Sequence, residues 1–290
     1  MPRLNCVAAT AIIAFVVALN IAEGARRTPV VRQVDHIVIE SGDPRILFNF
    51  FAETLQLPIA WPITENQGFV SGGIGAGNVN LEIFRYASTP RNRNASYSGL
   101  AFEPYPLPDA LRELKLRGIP YSTPEAYVSV LPSGSRGTAW TTVALPAFSR
   151  PGMSIFLYEY SPLFLKIEVR RKQLANRLTL SKGGPLGLSS LSEVSIATTD
   201  KKRDSAAWNA LLGKPAQSGN WRAGAGPAIR LVQGGGEGIR EITLSVESLE
   251  MARDFLKKSR LMGATSGKGM LINASRIQGL RILITGEGER

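Results

Sequence analysis

The chain contains one histidine, His36, and one cysteine, Cys6. Two acids, Glu82 and Glu159, interrupt otherwise apolar strand-like segments. Successive side chains of a strand point to opposite faces, so Asn78, Asn80, Glu82, Phe84 and Tyr86 share one face, and Val79, Leu81 and Ile83 share the other. A carboxylate on the concave side of a sheet loses hydration and stays charged only beside a cation or hydrogen-bond donors. Glu82 therefore reads as half of a binding site or as the partner of an arginine, although Arg85 points to the opposite face. His36 lies on an earlier strand with Val34 and Val38 on its face, as a hydrogen-bonded core residue or as a ligand. Glu159, between Tyr158 and Tyr160, is a rim ion pair or a second functional acid. Trp61, Phe69, Phe84 and Trp140 either line the wall of a pocket or fill the core.

The same inventory removes much chemistry. One histidine cannot build a multi-histidine metal site or a His-Glu-x-x-His peptidase, and one cysteine leaves no internal disulfide or cysteine-based zinc site. The 290 residues carry 34 Lys and Arg against 23 Asp and Glu, a net charge of +11. The densest basic stretch holds Lys166, Arg170, Arg171, Lys172, Arg177 and Lys182 against Glu168 alone. It lacks the interleaved aromatics or reading motif of a nucleic-acid binder, so no nucleic-acid partner is expected and the charge suits an anionic envelope or anionic small molecules.

Residues 1–25 have a positive start, an apolar run and small residues Ala22 and Gly24 before Ala25. That layout predicts a cleaved signal peptide and an exported, periplasmic or secreted protein; the other reading is a membrane anchor over residues 4–24, the chain's sole contact with a membrane if uncleaved.

The elements that must position these residues follow from hydrophobic period. A strand over 33–39 leads to Asp43-Pro44, an N-cap and first-turn pair, then a helix with Leu47, Phe51 and Leu55 on one side, ended by Pro58. Extended segments follow at 59–63 and 68–71, and after an expected glycine turn at 72–77 a strand at 78–86. That glycine series leads into a strand and lacks a following Lys-Ser/Thr, so it is not a phosphate loop. The β-α-β rhythm recurs with strands at 96–102, 140–145 and 153–160 around a helix over 107–116. It recurs again with strands at 193–198 and 228–233 around a helix over 201–212, and with strands at 240–246, 270–273 and 279–285 around a helix over 249–261. Four similar units imply duplication. The fold class is α+β: tandem βαβββ modules paired into two domains, helices outside cupped mixed sheets. The domains are expected at 30–162 and 189–288, joined by a basic, glycine-rich linker over 163–188.

Val34-Asp35-His36-Ile37-Val38-Ile39 with Asp43-Pro44, Phe50-Phe51, Leu57-Pro58 and Asn78-Val79-Asn80-Leu81-Glu82-Ile83 resembles the glyoxalase-like branch of the vicinal oxygen chelate superfamily. The resemblance is clear over residues 33–86, fair by pattern to Tyr160 and weak beyond residue 188. It implies paired βαβββ modules forming a cup, with a divalent metal held by residues of the first and last strand of each module. Carried over residue by residue, it makes His36, Glu82 and Glu159 metal ligands and Glu159 the catalytic base. The fourth position falls at Gly99 or Ala101, where there is no donor, with Glu103 a substitute only if the register shifts. Two carboxylates and one imidazole suit Fe, Mn, Ni or Zn. Asn80, Phe84, Trp61 and Trp140 are the expected substrate-binding residues, and a homodimer is compatible with the family. Val194 stands at the position matching His36 in the second domain, whose cup is expected to hold no metal.

Two functional readings follow from the resemblance. One is a metal-dependent lyase, isomerase or dioxygenase acting on a small oxygen-rich molecule; the other is a non-catalytic protein that sequesters such a molecule in the same cup.

Overall fold

The computed structural model describes residues 28–66, 68–216, 219–267 and 269–288, so the predicted leader over residues 1–25 lies outside the described residues. Its first module runs β1 (Val31–Glu40), α1 (Pro44–Asn49) continuing into a π-helical turn (Phe50–Thr54), β2 (Ile59–Asn66), β3 (Phe69–Gly75) and β4 (Asn80–Tyr86). Asp43 caps α1 by accepting from the Ile46 N–H at 3.4 Å, and Pro44 occupies the first turn, as the sequence predicts. Leu47, Phe51 and Leu55, spaced by four, are all buried. The second module repeats the pattern with β5 (Ser96–Pro104), α2 (Leu107–Leu116), β6 (Glu125–Val130), β7 (Arg136–Ala144) and β8 (Ser154–Tyr160).

These eight strands form one sheet in the order β2-β3-β4-β1-β5-β8-β7-β6. The two modules meet at its centre, where β1 and β5 run antiparallel and each pairs in parallel with the last strand of its own module, β4 or β8. The first and last strand of each module are therefore neighbours, which brings residues distant in sequence onto one concave face.

The basic stretch read as a linker is instead a helix, α3 (Ile167–Leu180), followed by a 3-10 turn (Gly184–Leu186). Only Leu174 and Leu178 of α3 are buried. Weak amphipathicity hid the helix in the sequence: polar contacts hold much of it on the first sheet.

The third module comprises β9 (Leu188–Thr198), α4 (Lys201–Leu212), β10 (Trp221–Arg222) and β11 (Ala228–Gln233). The fourth comprises β12 (Gly238–Val246), α5 (Leu249–Lys258), β13 (Met262–Ser266), β14 (Gly269–Ile272) and β15 (Ile282–Gly286). They form a seven-stranded sheet in the order β10-β11-β9-β12-β15-β14-β13, the same plan short of one strand in the third module among the described residues. Asp200 and Ser248 cap α4 and α5 through the N–H groups of Arg203 and Met251.

One apolar core joins the two sheets. Trp208 of α4 packs edge-on against Phe102 of β5 and Phe148, with ring centroids 6.1 and 5.1 Å apart. Arg150 reaches Asp204 at 2.7 Å, and the Tyr97 hydroxyl donates to the Arg281 carbonyl at 2.9 Å.

The expected glycine turn is corrected: Gly72, Gly73 and Gly75 lie inside β3, and Gly77 beyond it has a φ of 85°. The reason is steric. A Cβ on Gly73 would stand 2.2 Å from the Trp61 ring, so the glycine lets the indole of β2 lie flat on β3.

Candidate functional site

The register of β1 against β5 sets the site. Gln33 pairs with Glu103, Val34 with Phe102 and His36 with Ala101, so Asp35 is the extra residue of a β-bulge. The bulge breaks strand alternation: Val34 turns into the core shared by the two sheets, while Asp35 and His36 both face the cup. The expectation that His36 shares a face with Val34 is corrected accordingly.

His36 is 1% exposed. Its Nδ1 lies 2.7 Å from Asp35 Oδ2, and its Nε2 points towards Glu82 Oε2 at 3.3 Å with no hydrogen-bond partner of its own. Glu82 accepts from the Ser71 hydroxyl at 2.6 Å, and Ser71 accepts from the Trp61 indole N–H at 3.2 Å. Burial alone would depress the His36 pKa; the Asp35 hydrogen bond and the charges of Glu82 and Asp35 outweigh it and raise the pKa above that of an ordinary imidazole. Asp35 is itself tied to the helix across the cup, since Arg171 reaches its Oδ1 at 2.8 Å and Glu103 at 2.6 Å. Burial pushes the Glu103 pKa up against the pull of Arg171.

Above this polar floor is a cavity of about 300 Å3. One wall is aromatic: Tyr127 and Trp140 stack at 4.2 Å with 9° between their planes, Trp140 stacks on Tyr158 at 5.7 Å, and Phe164 meets Trp140 edge-on at 5.7 Å. Trp61 and Phe69 contribute to the lining, and Asn80 joins the polar part of it. Phe164, Leu165, Ile167 and Arg170, at the start of α3 and just before it, close the open side. Burial, reinforced by neighbouring acids, keeps the Tyr158 and Tyr160 hydroxyls far above their usual pKa and hence neutral.

The structure thus brings together His36, Glu82, Asn80, Trp61 and Trp140. Phe84 is set back from the lining and supports it by stacking on Phe69 at 5.4 Å. Glu159 is a correction. Alternation along β8 sends Tyr158 and Tyr160 into the cup and Glu159 to the other face, where its Oε1 accepts from the Leu107 N–H at 2.8 Å. Leu107 opens α2, whose N-cap Pro106 has no side-chain acceptor, so Glu159 supplies both the missing acceptor and a negative charge at the helix N-terminus.

The metal centre implied by the resemblance needs three or four converging donors. Ala101 faces His36, Tyr158 occupies the place on β8 that Glu82 occupies on β4, and Glu159 points away. Among the described residues no group of three His, Cys, Asp or Glu side chains is placed to hold a metal. Two donors do not make that centre. In the second sheet, Glu193 is paired with Arg230 at 2.7 Å and Glu241 with Arg281.

Reasoning from sequence missed Asp35, Tyr127, Tyr158 and Arg170. Asp35 is next to the only histidine, but a bulge leaves no trace in hydrophobic period. Tyr127 lies on a half-exposed edge strand, and Arg170 was absorbed into the apparent linker.

Paired βαβββ modules curled around a polar floor define the vicinal oxygen chelate fold, and this chain has it. Among the solved structures it resembles are homoprotocatechuate 2,3-dioxygenases. The enzyme from Arthrobacter globiformis matches with a TM-score of 0.58 at 14% identity, over 91% of this chain and 82% of that one. An extradiol ring-cleaving dioxygenase from B. fuscum matches with a TM-score of 0.59 at 15% identity, over 90% and 73%. The Brevibacterium fuscum enzyme in complex with 3,4-dihydroxyphenylacetate matches at 0.57 and 14%, over 90% and 82%. The likeness is one of fold. No family model and no curated protein matches the sequence.

Proposed function

We propose that this chain is an exported protein that binds a small planar, oxygen-bearing molecule, of the phenol or catechol class, in the cup of its first sheet. The carrying observation is the aromatic chamber over the His36–Glu82 pair, where a flat apolar wall meets a compact set of buried acceptors. A ring of one to two cycles suits a cavity of about 300 Å3 and gains dispersion and quadrupole contacts against Trp140 and Trp61. Its hydroxyls would turn to the floor, donating to Glu82 and meeting the free Nε2 of His36 and the amide of Asn80. The dioxygenases of like fold, one of them complexed with a dihydroxyphenyl compound, support this ligand class. Their ring-cleaving chemistry is not carried over, because the donor set here does not form a metal centre. Sequestration is therefore favoured over turnover. The leader over residues 1–25 supports export, which N-terminal sequencing of the secreted protein would test by a start at Ala25.

Calorimetric titration of the wild type with 4-methylcatechol tests the binding reading. We expect saturable binding that weakens about tenfold or more in Trp140→Ala and in Glu82→Gln, the loss of an aromatic wall or a charged acceptor. Absence of saturable binding by 4-methylcatechol and by a panel of other planar phenols would overturn it.

A further inference from the structure

Arg170 and Arg171 are consecutive in α3 and have opposite electrostatic surroundings. Arg171 is neutralised by Asp35 and Glu103, at 2.8 and 2.6 Å, and touches Glu168 at 3.2 Å. Arg170 lines the chamber, is only partly exposed, and has no carboxylate within ion-pair distance among the described residues. Its guanidinium donates to the Ala60 carbonyl, which fixes the group at the chamber wall and leaves other N–H donors free.

The charges lining the chamber do not cancel this cation. Glu82 faces His36 Nε2 at 3.3 Å and accepts from the Ser71 hydroxyl at 2.6 Å, with no ion pair to Arg170, and the Tyr158 and Tyr160 hydroxyls are held neutral. Nor does Arg170 serve its own helix: it lies in the first turn of α3, where the helix dipole disfavours a cation. A partly desolvated guanidinium with unused donors is costly unless something anionic joins it, and its planar fork suits a carboxylate. The net charge of +11 adds a field that raises the local concentration of anions.

We infer that Arg170 is a specificity-determining residue that makes the chamber select organic anions: a planar ring whose carboxylate pairs with Arg170 while its polar edge faces His36 and Glu82. This rests on the chamber being a ligand site. It adds a second fixed point near the open side, so the ligand has a charged end and an uncharged, hydroxylated end, and the protein discriminates by the former.

The test compares two probes of one ring type, anionic 3,4-dihydroxyphenylacetate and uncharged 4-methylcatechol, by calorimetry on the full chain. Wild type should bind the anion about ten- to a hundredfold more tightly than the uncharged ring, the range of a charge-assisted pair. Arg170→Gln should abolish that preference, read as the ratio of the two affinities within one protein; Arg170→Lys should keep part of it. Raising salt should weaken the anion selectively. If wild type binds both probes equally, or if Arg170→Gln keeps the preference, the assignment of Arg170 falls and the chamber remains a ligand site. If neither probe binds, the assignment of Arg170 falls, and if the panel of planar phenols also fails to bind, the ligand-site reading falls with it. The wild-type comparison holds even if Arg170→Gln does not fold.

Discussion

Asp35 and His36 are neighbours in the chain yet face the same side of β1, because the bulge against β5 spends one residue without a cross-strand partner. The result is a local carboxylate–imidazole pair at 2.7 Å that needs no long-range folding to meet. Arg171 then clamps the outer oxygen of Asp35 from α3. A buried acid holding two cations on different elements couples the cup floor to the helix across it.

Removing that acid takes one buried carboxylate from each of two cations, leaving Arg171 with Glu103 and Glu168 and His36 with Glu82. Asp35→Ala should cost about 3–5 kcal/mol, the usual loss when one member of a buried pair is deleted, and Asp35→Asn less, because the amide still accepts one bond. Urea unfolding of the three proteins checks the order.

The single histidine makes its protonation directly visible. Its folded pKa is raised above 6.5 by Asp35 and Glu82 acting against burial. A raised pKa means that the His36 contribution to stability is complete below about pH 6.5 and is lost as pH climbs through the folded value. Imidazole carbon shifts should titrate above the random-coil midpoint, and the stability gap between wild type and His36→Asn should shrink with rising pH. A midpoint below 6.5 would contradict this.

Glu159 should behave as a helix cap with no role in the chamber. Glu159→Ala is expected to cost about 0.5–2 kcal/mol, the range for losing a cap at a helix N-terminus, while affinity for 4-methylcatechol stays within twofold. Denaturation and calorimetry on one preparation separate the two roles.

How much of this was legible in the sequence depends on how local the signal is. The cap Asp43, the four-spaced Leu47, Phe51 and Leu55, and the alternation of Asn80 and Glu82 are short-range patterns, and they placed α1 and β4 within a residue or two. The family resemblance places Glu159 in the cup as an acid on the last strand of the second module; the strand phase that sends Tyr158 and Tyr160 inward is not fixed by the apolar residues around it. The bulge at Asp35 and the helix over the cup were not readable, since one is a defect in pairing and the other is held largely by ion pairs.

Metal content tests the donor count. Purified protein reconstituted with Fe, Mn, Ni or Zn should hold well under one ion per chain, and the double change Ala101→His with Tyr158→Glu should raise it towards one by supplying the two positions that face His36. Stoichiometric metal in wild type, lost in His36→Ala, would show that the chain's two donors suffice.

A covalent latch can report whether α3 moves when ligand enters. A Cβ built on Gly75 lies 3.5 Å from Leu174 Cβ, within the range that a disulfide spans. Gly75→Cys with Leu174→Cys, in a Cys6→Ser background, should oxidise readily and stabilise the fold, by up to about 4.7 kcal/mol for a loop of about 100 residues. Stopped-flow binding of 4-methylcatechol should be slower in the oxidised form and recover with reductant; unchanged rates would mean that entry does not require α3 to shift.

The first repeat pair ends near residue 162, but the wall that closes its chamber is supplied by the segment leading into the second pair. The first sheet therefore cannot be separated at residue 162 without opening its chamber. A fragment stopped at the repeat boundary would present Tyr127, Trp140 and Tyr158 to water as an adhesive patch, whereas one carried through Gly187 would keep its roof. The segment that joins the two sheets in sequence is also what completes the vessel of the first, so connection and wall are one structural part.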